Sequence, residues 1–203
     1  MTGPLLLRAE AMRTARLELE PLRVEHADEA AAVFDDVALH AFMGGAPASA
    51  EQLRKRYRQQ AVGHSPDGSE AWVNWLLRRH DSGELIGTVQ ATVSPAAPRA
   101  DAAGEPCSAE VAWVIAGPHQ GRGFACEAAI AMAAWLRRSG VTTILAHIHP
   151  EHGASVGVAR ALGLRRTAVV VDGEERWGDG PLLEEPSHRA ADGDPARGAR
   201  AAR

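Results

Sequence analysis

One segment constrains the fold of this chain more than any other: a glycine-rich turn that joins an apolar strand to an amphipathic helix. The segment runs from Glu110 to Glu127, and its turn contains Gly121 and Gly123. Glycine accepts left-handed backbone, which lets such a turn bring its amides close to a ligand. The first turn of a helix also leaves backbone N–H groups without partners and carries partial positive charge. The pattern therefore predicts a strand–turn–helix junction suited to phosphate.

Two common phosphate motifs do not match this turn. No Gly-Lys-Ser/Thr sequence follows it, which excludes a Walker loop. The Gly-x-Gly-x-x-Gly fingerprint also fails, because Cys126 stands where the third glycine belongs. A Gly-x-Gly pair by itself is most often a turn without a ligand, so the neighbouring sequence decides its meaning.

The hydrophobic pattern predicts a single mixed α/β domain with the order β-α-α-β-β-β-α-β-α-β-β. The predicted strands cover residues 15–20, 71–79, 85–93, 108–115, 142–149 and 164–171, with a last strand around Trp177. The predicted helices cover residues 24–34, 49–61, 124–139 and 153–162. We assign residues 1–12 to a flexible leader, 13–185 to the domain and 186–203 to a disordered tail with few residues to bury.

The composition excludes several classes of partner. Apolar residues make up 45% of the 203 residues and the net charge is −4, whereas nucleic-acid binding needs a basic surface. No stretch approaches the roughly 18 apolar residues of a membrane span. Cys107 and Cys126 lack zinc-ligand spacing. We therefore expect a cytoplasmic protein that binds no nucleic acid, no membrane and no metal.

Three blocks around the turn resemble the GNAT superfamily of acyl-CoA N-acyltransferases. Gln120-x-x-Gly123-x-Ala125 is similar to the Gln/Arg-x-x-Gly-x-Gly/Ala pyrophosphate loop of that family. The strand Glu110-Val-Ala-Trp-Val-Ile resembles the strand that leads into this loop. The segment from His152-x-x-Ser155 to Leu-Gly163-Leu resembles the family's Asn-x-x-Ser…Leu-Gly-Phe helix.

The beginning of the domain resembles one branch of that family. Thr14-Ala-Arg-Leu-Glu-Leu-Glu-Pro-Leu is similar to the start of the RimJ/RimL ribosomal-protein alanine acetyltransferases. The resemblance covers roughly residues 13 to 183. It implies an α/β (α+β) domain, with a mixed, mostly antiparallel central sheet that is splayed at the CoA site and flanked by helices. Dimers are frequent in the family, so a homodimer is a further expectation.

Acetyl-CoA is the co-substrate that the resemblance implies. Its pyrophosphate is expected on the turn, and its pantetheine arm along the strand before the turn, with the thiol end near the later helix. The residues implied in cofactor binding are Trp113, Val114, Ile115, Gln120, Gly121, Arg122, Gly123, Phe124, Ala125, His152 and Ser155.

The implied reaction is direct transfer of the acetyl group to a primary amine, either a protein N-terminus or a small amine such as an antibiotic, amino acid or polyamine. Glu110 is the first candidate for the base, with His147, His149 and water as alternatives. The two histidines alternate along one strand and therefore share a face. Ser155 is the candidate acid or thiol contact, because the chain has no tyrosine near its last helix.

Two departures from the family pattern keep other functions open. His152 stands where an asparagine usually contacts pantetheine, and Tyr57 is the only tyrosine. A non-catalytic acyl-CoA-binding regulatory domain and transfer of another acyl group, such as succinyl, are the alternatives. Cys126, at a helix N-terminus, suggests a third route through an acyl-enzyme, although a packing role is favoured. We expect residues 35–47 and 172–177 to form the acceptor site together.

Overall fold

The computed structural model describes residues 7–39, 45–96 and 106–179. Within them, eight strands form one open sheet in the order β1-β2-β3-β4-β5-β6-β8-β7. The strands are β1 (Met12–Arg13), β2 (Leu17–Pro21), β3 (Ala71–Arg79), β4 (Leu85–Pro95), β5 (Cys107–Ile115), β6 (Val141–Ile148), β7 (Arg165–Val171) and β8 (Glu174–Gly178). Neighbouring strands are antiparallel except β5 and β6, which are parallel.

Helices cover both faces of the sheet. They are α1 (Ala27–Val33), α2 (Ala50–Gln60), α3 (Phe124–Arg138) and α4 (Gly153–Ala161). Alternate residues of β3 show the division, because Trp75 and Leu77 pack in the core that contains α3 and α4, whereas Leu76 packs with α1 and α2. We call these two sides the α3 face and the α1 face. Period-two alternation along the strands thus supplies both cores.

The structure confirms the predicted fold class and the predicted order of elements. Each predicted boundary lies within three residues of the observed one. A single 3-10 turn, Val24–His26, precedes α1 and accounts for its later start. The described residues also contain two 3-10 turns, Val37–Leu39 and Gly117–His119, and the short strand β1, which pairs with β2 at the boundary between the predicted leader and the domain.

Residues 7–12 differ from the expected flexible leader. Leu7, Ala9 and Met12 pack against the core of the α3 face. The indole N–H of Trp75 donates to the carbonyl oxygen of Glu10 at 2.7 Å. A buried indole needs such an acceptor, so the packed part of the chain begins before residue 13. Residues 1–6 and the predicted tail, 186–203, lie outside the described residues.

The sheet opens between its two parallel strands. β5 and β6 are paired from Cys107 onward, and the pairing ends where Glu110 lies opposite Leu145. β5 continues to Ile115 and stays paired with β4 on its other edge, while β6 continues to Ile148 and pairs with β8. The central sheet is therefore splayed, as the GNAT resemblance implied.

A buried charge cluster joins β2 and β3 to the start of α1. His26 is only 7% exposed, and its Nδ1 accepts from the backbone N–H of Arg23 at 3.2 Å. The Arg78 guanidinium bridges the carboxylates of Glu20 and Glu29 at 3.1 and 2.8 Å. Burial, with the charge of Arg23 second, lowers the pKa of His26 below its usual 6.5. The neutral imidazole is therefore the form that this fold favours.

We expect the free energy of unfolding to fall between about pH 7.5 and about pH 5.5, and to fall less in His26→Gln. Because the folded-state pKa is lowered, the unfolded chain binds more protons in this range. The contribution of His26 is therefore present above pH 6.5 and lost as the pH falls. Glutamine keeps an acceptor for the Arg23 N–H but does not titrate. Urea unfolding at both pH values measures the difference, and an identical loss in the two proteins would contradict the assignment.

Candidate functional site

The glycine-rich turn has the geometry that its sequence predicts. Gly121 and Gly123 adopt left-handed backbone with φ of 70° and 78°. Gly123 is the N-cap of α3, and no side chain caps that end of the helix. The Gln120 side-chain amide donates to the carbonyl oxygen of Ile115 at 2.9 Å. Gln120 therefore ties the turn to the end of β5, while the first amides of α3 face outward without a side-chain cap.

A second anchor holds the turn from β2. The Glu127 carboxylate, in the first turn of α3, accepts from Thr14 Oγ1 at 2.6 Å and from Arg16 Nε at 2.6 Å. Arg16 also donates to the carbonyl oxygen of Arg122 at 2.9 Å. Burial opposes ionisation of Glu127, but the hydrogen bonds from Thr14 and Arg16 outweigh it and lower the pKa. The position of the turn therefore depends on residues more than a hundred positions earlier.

The strand before the turn presents different residues to the two faces. Trp113 and Ile115 pack in the core of the α3 face, so Val114 between them points to the α1 face. All three lie beyond the end of the β5–β6 pairing. The turn's Phe124 is buried, and Ala125 packs partly against the same core. At Trp113, Val114 and Ile115 the edge of β5 that faces β6 makes no pairing with β6. The resemblance places the pantetheine arm along this edge.

Trp113 links the two sides of this gap. Its indole N–H donates to Ser155 Oγ, in the first turn of α4, at 3.2 Å. His152 is the N-cap residue of α4. Burial, followed by the neighbouring His149, lowers the pKa of His152. Trp113 and Ser155, which come from separate sequence blocks, therefore meet on the α3 face, and His152 lies at the start of the helix that carries Ser155.

On the opposite face, two residues that the sequence offered as alternative bases form one pair. His147 Nδ1 lies 3.0 Å from Glu110 Oε1. Glu110 is the last residue of β5 paired with β6, so the pair lies at the closed end of the gap. Arg176 on β8 pairs with His147, and its Nε lies 3.4 Å from His147 Nε2. His149 follows β6 and accepts from the backbone N–H of Glu151 at 3.3 Å.

Part of the expected acceptor region touches the segment that connects β5 to the turn. A Cβ placed on Gly117 would lie 2.9 Å from Asp36 Oδ2, so the segment after α1 touches the segment after β5. Asp35 lines a cavity of about 400 Å³ together with Pro47 and Ser49. Residues 40–44 lie outside the described residues.

Sequence reasoning missed Arg16, Glu127 and Arg176. Their contacts depend on strand register and helix packing. For Arg16 and Glu127, one signal was available: the segment that begins at Thr14 resembles a block of the family. Within the described ranges, no group of three or more His, Cys, Asp and Glu side chains could hold a metal ion. No helix there is long and apolar enough to cross a membrane.

A comparison with protein families identifies the domain. A family model described as "Acetyltransferase (GNAT) domain" matches residues 16–165. The chain belongs to the GNAT acetyltransferase family. It is thus an acyl-CoA-dependent N-acetyltransferase, and the family expected from the Gln120-to-Ala125 turn is confirmed. A search of curated proteins found no match to the sequence.

Solved structures with the same fold include three that bear on this family. A GnaT-family acetyltransferase from Bordetella pertussis is 26% identical, with 83% of this chain and 97% of that chain covered and a TM-score of 0.59. An acetyltransferase from Agrobacterium tumefaciens is 19% identical, with 89% and 100% covered and a TM-score of 0.64. RimL, a ribosomal L7/L12 alpha-N-protein acetyltransferase in complex with coenzyme A, is 18% identical, with 84% and 97% covered and a TM-score of 0.65.

We expect Gly123→Trp to weaken coenzyme A binding more than tenfold, a loss of at least about 1.4 kcal/mol. The large side chain would cover the amides at the start of α3, and the positive φ would be strained. Isothermal titration calorimetry measures the dissociation constant. Gly140→Trp is the matched control, because Gly140 has a φ of 92° and open space around it just beyond the other end of α3. A folded Gly123→Trp protein with unchanged affinity would exclude the turn as the phosphate site.

Proposed function

We propose that the protein transfers the acetyl group of acetyl-CoA directly to the α-amine of a protein N-terminus. One observation carries the proposal: the gap between β5 and β6 has the Glu110–His147 pair on one face and Ser155 on the other. A thioester in this gap would lie between a proton acceptor and a proton donor. The amine nitrogen attacks the thioester carbonyl carbon, the C–N bond forms, the C–S bond breaks, and the thiolate leaves and takes up a proton.

The cofactor would be held at two places. The pyrophosphate would accept hydrogen bonds from the amides between Gly121 and Ala125, with Arg122 adding positive charge. The pantetheine amides would lie along the β5 edge at Trp113 and Val114, much as an added strand does. In this arrangement Gln120 braces the turn through Ile115. His152 would contact the arm in place of the asparagine usual in the family.

The hydrogen-bond directions favour Glu110 as the proton acceptor. Arginine only donates, so the contact from Arg176 Nε makes His147 Nε2 an acceptor. The His147 proton then lies on Nδ1 and is donated to Glu110 Oε1. The Glu110 side chain is 42% exposed and that of His147 only 18%. His147 therefore orients the carboxylate, and Glu110 receives the proton of the amine, directly or through water.

Ser155 would serve the leaving group. Because its oxygen accepts from the Trp113 indole, its own hydroxyl hydrogen is directed elsewhere and can be donated to the thiolate. This explains how the protein would work without a tyrosine on its last helix. Proximity supplies much of the remaining acceleration, since oriented reactions reach effective molarities of about 10⁵ M and above.

An N-terminal α-amine suits a carboxylate base better than a lysine side chain does. The α-amine has a pKa of about 7.7–8.0 and lysine about 10.4, so far more α-amine is unprotonated near neutral pH. The structural similarity to RimL, an alpha-N-protein acetyltransferase, supports the same class, as does the RimJ/RimL-like start at Thr14. A cytoplasmic location and a homodimer stay predictions.

We expect Glu110→Gln to lower kcat roughly a hundredfold while leaving the dissociation constant of coenzyme A nearly unchanged. The amide cannot accept the proton, so the acidic limb of the pH–rate profile should change as well. His147→Gln should give a smaller loss, because it removes orientation and keeps the carboxylate. Thiol release followed from about pH 6 to about pH 9 measures both. Glu151→Gln, at an exposed position after β6, is the control, and an unaltered profile in Glu110→Gln would remove Glu110 as the base.

A panel of amines tests the acceptor class. We expect peptides with free N-terminal alanine or serine to release thiol from acetyl-CoA faster than Nα-blocked lysine peptides, polyamines, aminoglycosides or free amino acids, with mass spectrometry placing the acetyl group on the α-amine. Succinyl-CoA in the same assay tests the acyl group. A small amine as the best acceptor would overturn the N-terminal assignment. Binding of coenzyme A without turnover of any amine would instead indicate a non-catalytic acyl-CoA-binding domain.

A further inference from the structure

Three arginines that the proposed reaction does not explain as a group converge beside the glycine-rich turn. The guanidinium carbons of Arg16, Arg79 and Arg122 lie 4.4, 5.8 and 5.2 Å from the centre of the Phe124 ring. They come from the residue before β2, the end of β3 and the turn itself. Together with Asp81 and two further residues, Ala15 and His80, they line a cavity of about 180 Å³.

Two of the three arginines in this arginine pocket have carboxylate partners, and Arg122 has none within the described ranges. Arg16 Nε is bound to Glu127, and Arg79 is hydrogen-bonded to Asp81. Arg79 also lies 3.8 Å from a Glu84 carboxylate oxygen. The guanidinium of Arg122 makes no hydrogen bond or ion pair with any residue in the described ranges, and its contact there is the ring of Phe124. Asp81 is the single carboxylate that lines the cavity. Glu127 and Glu84 pair with Arg16 and Arg79 from outside the lining, so the charge that is left for a ligand is chiefly that of Arg122.

A hydrogen-bond donor of Arg16 also lies close to the glycine-rich turn. Arg16 Nη2 lies 3.5 Å from the position that a Cβ would take on Gly123, and it makes no hydrogen bond to another described residue. Guanidinium groups match the geometry of phosphate oxygens and are weakly hydrated, which suits them to a partly enclosed anion site. A doubly charged anion in the cavity would be attracted by Arg122 and would compete with the carboxylates for Arg16 and Arg79.

The size and charge of the pocket fit a terminal phosphate. The cavity of about 180 Å³ is well above the minimum that holds one water molecule, so it has room for a phosphate group. A phosphate monoester carries about −1.5 to −2 charges near neutral pH, so it uses several cations at once. Coenzyme A has one such group, the 3′-phosphate on its ribose.

We propose that the arginine pocket binds the 3′-phosphate of acetyl-CoA. The assignment rests on the proposed function, because a pyrophosphate on the amides from Gly121 to Ala125 brings the adjoining ribose to the pocket. Arg122 and Phe124 belong to both the turn and the pocket. The pocket thus recognises the adenosine end of the cofactor, separately from the turn that holds the pyrophosphate.

Calorimetry with coenzyme A and 3′-dephospho-CoA tests this directly. We expect the wild-type protein to bind coenzyme A about tenfold or more tightly than 3′-dephospho-CoA. Arg79→Gln should bring the two dissociation constants within about threefold of each other by weakening only coenzyme A. Asp81→Asn should preserve or increase the preference, because it removes a competitor for Arg79 at an exposed position. Arg138→Gln, the same charge change at the far end of α3, should leave the preference unchanged.

The possible results separate this proposal from the one on which it rests. Equal binding of both ligands by the wild-type protein would overturn the pocket assignment and leave the acetyltransferase proposal standing. Binding of neither ligand would overturn both. Inorganic phosphate that binds equally well with and without coenzyme A present would show a free-anion site and also overturn the assignment. Should Arg79→Gln not fold by circular dichroism, the wild-type preference and Asp81→Asn still decide the question.

Discussion

Beyond Glu110, the parallel strands β5 and β6 no longer hydrogen-bond to each other, although each keeps its partner on its other side. Backbone groups in a sheet interior need partners, so this edge is poised to accept a ligand with amide groups of its own. The gap persists because the sheet is two antiparallel halves that are joined only by the short pairing from Cys107 to Glu110. The turn, the Glu110–His147 pair and Ser155 all lie around this break in the pairing.

Most of the fold follows from local patterns. The run of apolar residues in β3 predicts a strand, and the structure shows that its consecutive residues Trp75 and Leu76 enter different cores. The turn is equally local, because Gly121 and Gly123 have left-handed φ and a helix begins at the next residue. Such features need only the neighbouring residues, which explains why the element order and the phosphate-type junction were predictable.

The contacts inside the site are not local, and the sequence left them open. Glu110 and His147 come from parallel strands whose register shifts between Cys107 and Ser108. Because the sequence does not give this register, it could offer the two side chains only as alternative bases. Arg176, on a third strand, contacts His147. Its effect on the His147 tautomer could not be predicted from the spacing of residues in the sequence. The segment before β1 was misjudged for a similar reason, because its anchor is the buried indole of Trp75, 65 residues away.

On the proposed mechanism, the two faces of the sheet divide the two substrates. Trp113 and Ser155 lie on the α3 face with the turn, whereas Glu110 and His147 lie on the α1 face. The thioester carbonyl must therefore sit within the gap, where both faces are reachable. On that mechanism, an amine that approaches from the α1 face would reach the Glu110 carboxylate first and lose a proton there before it attacks the carbonyl carbon. The departing thiol would lie beside Ser155, so the proton acceptor and the proton donor would act from opposite faces on the same thioester.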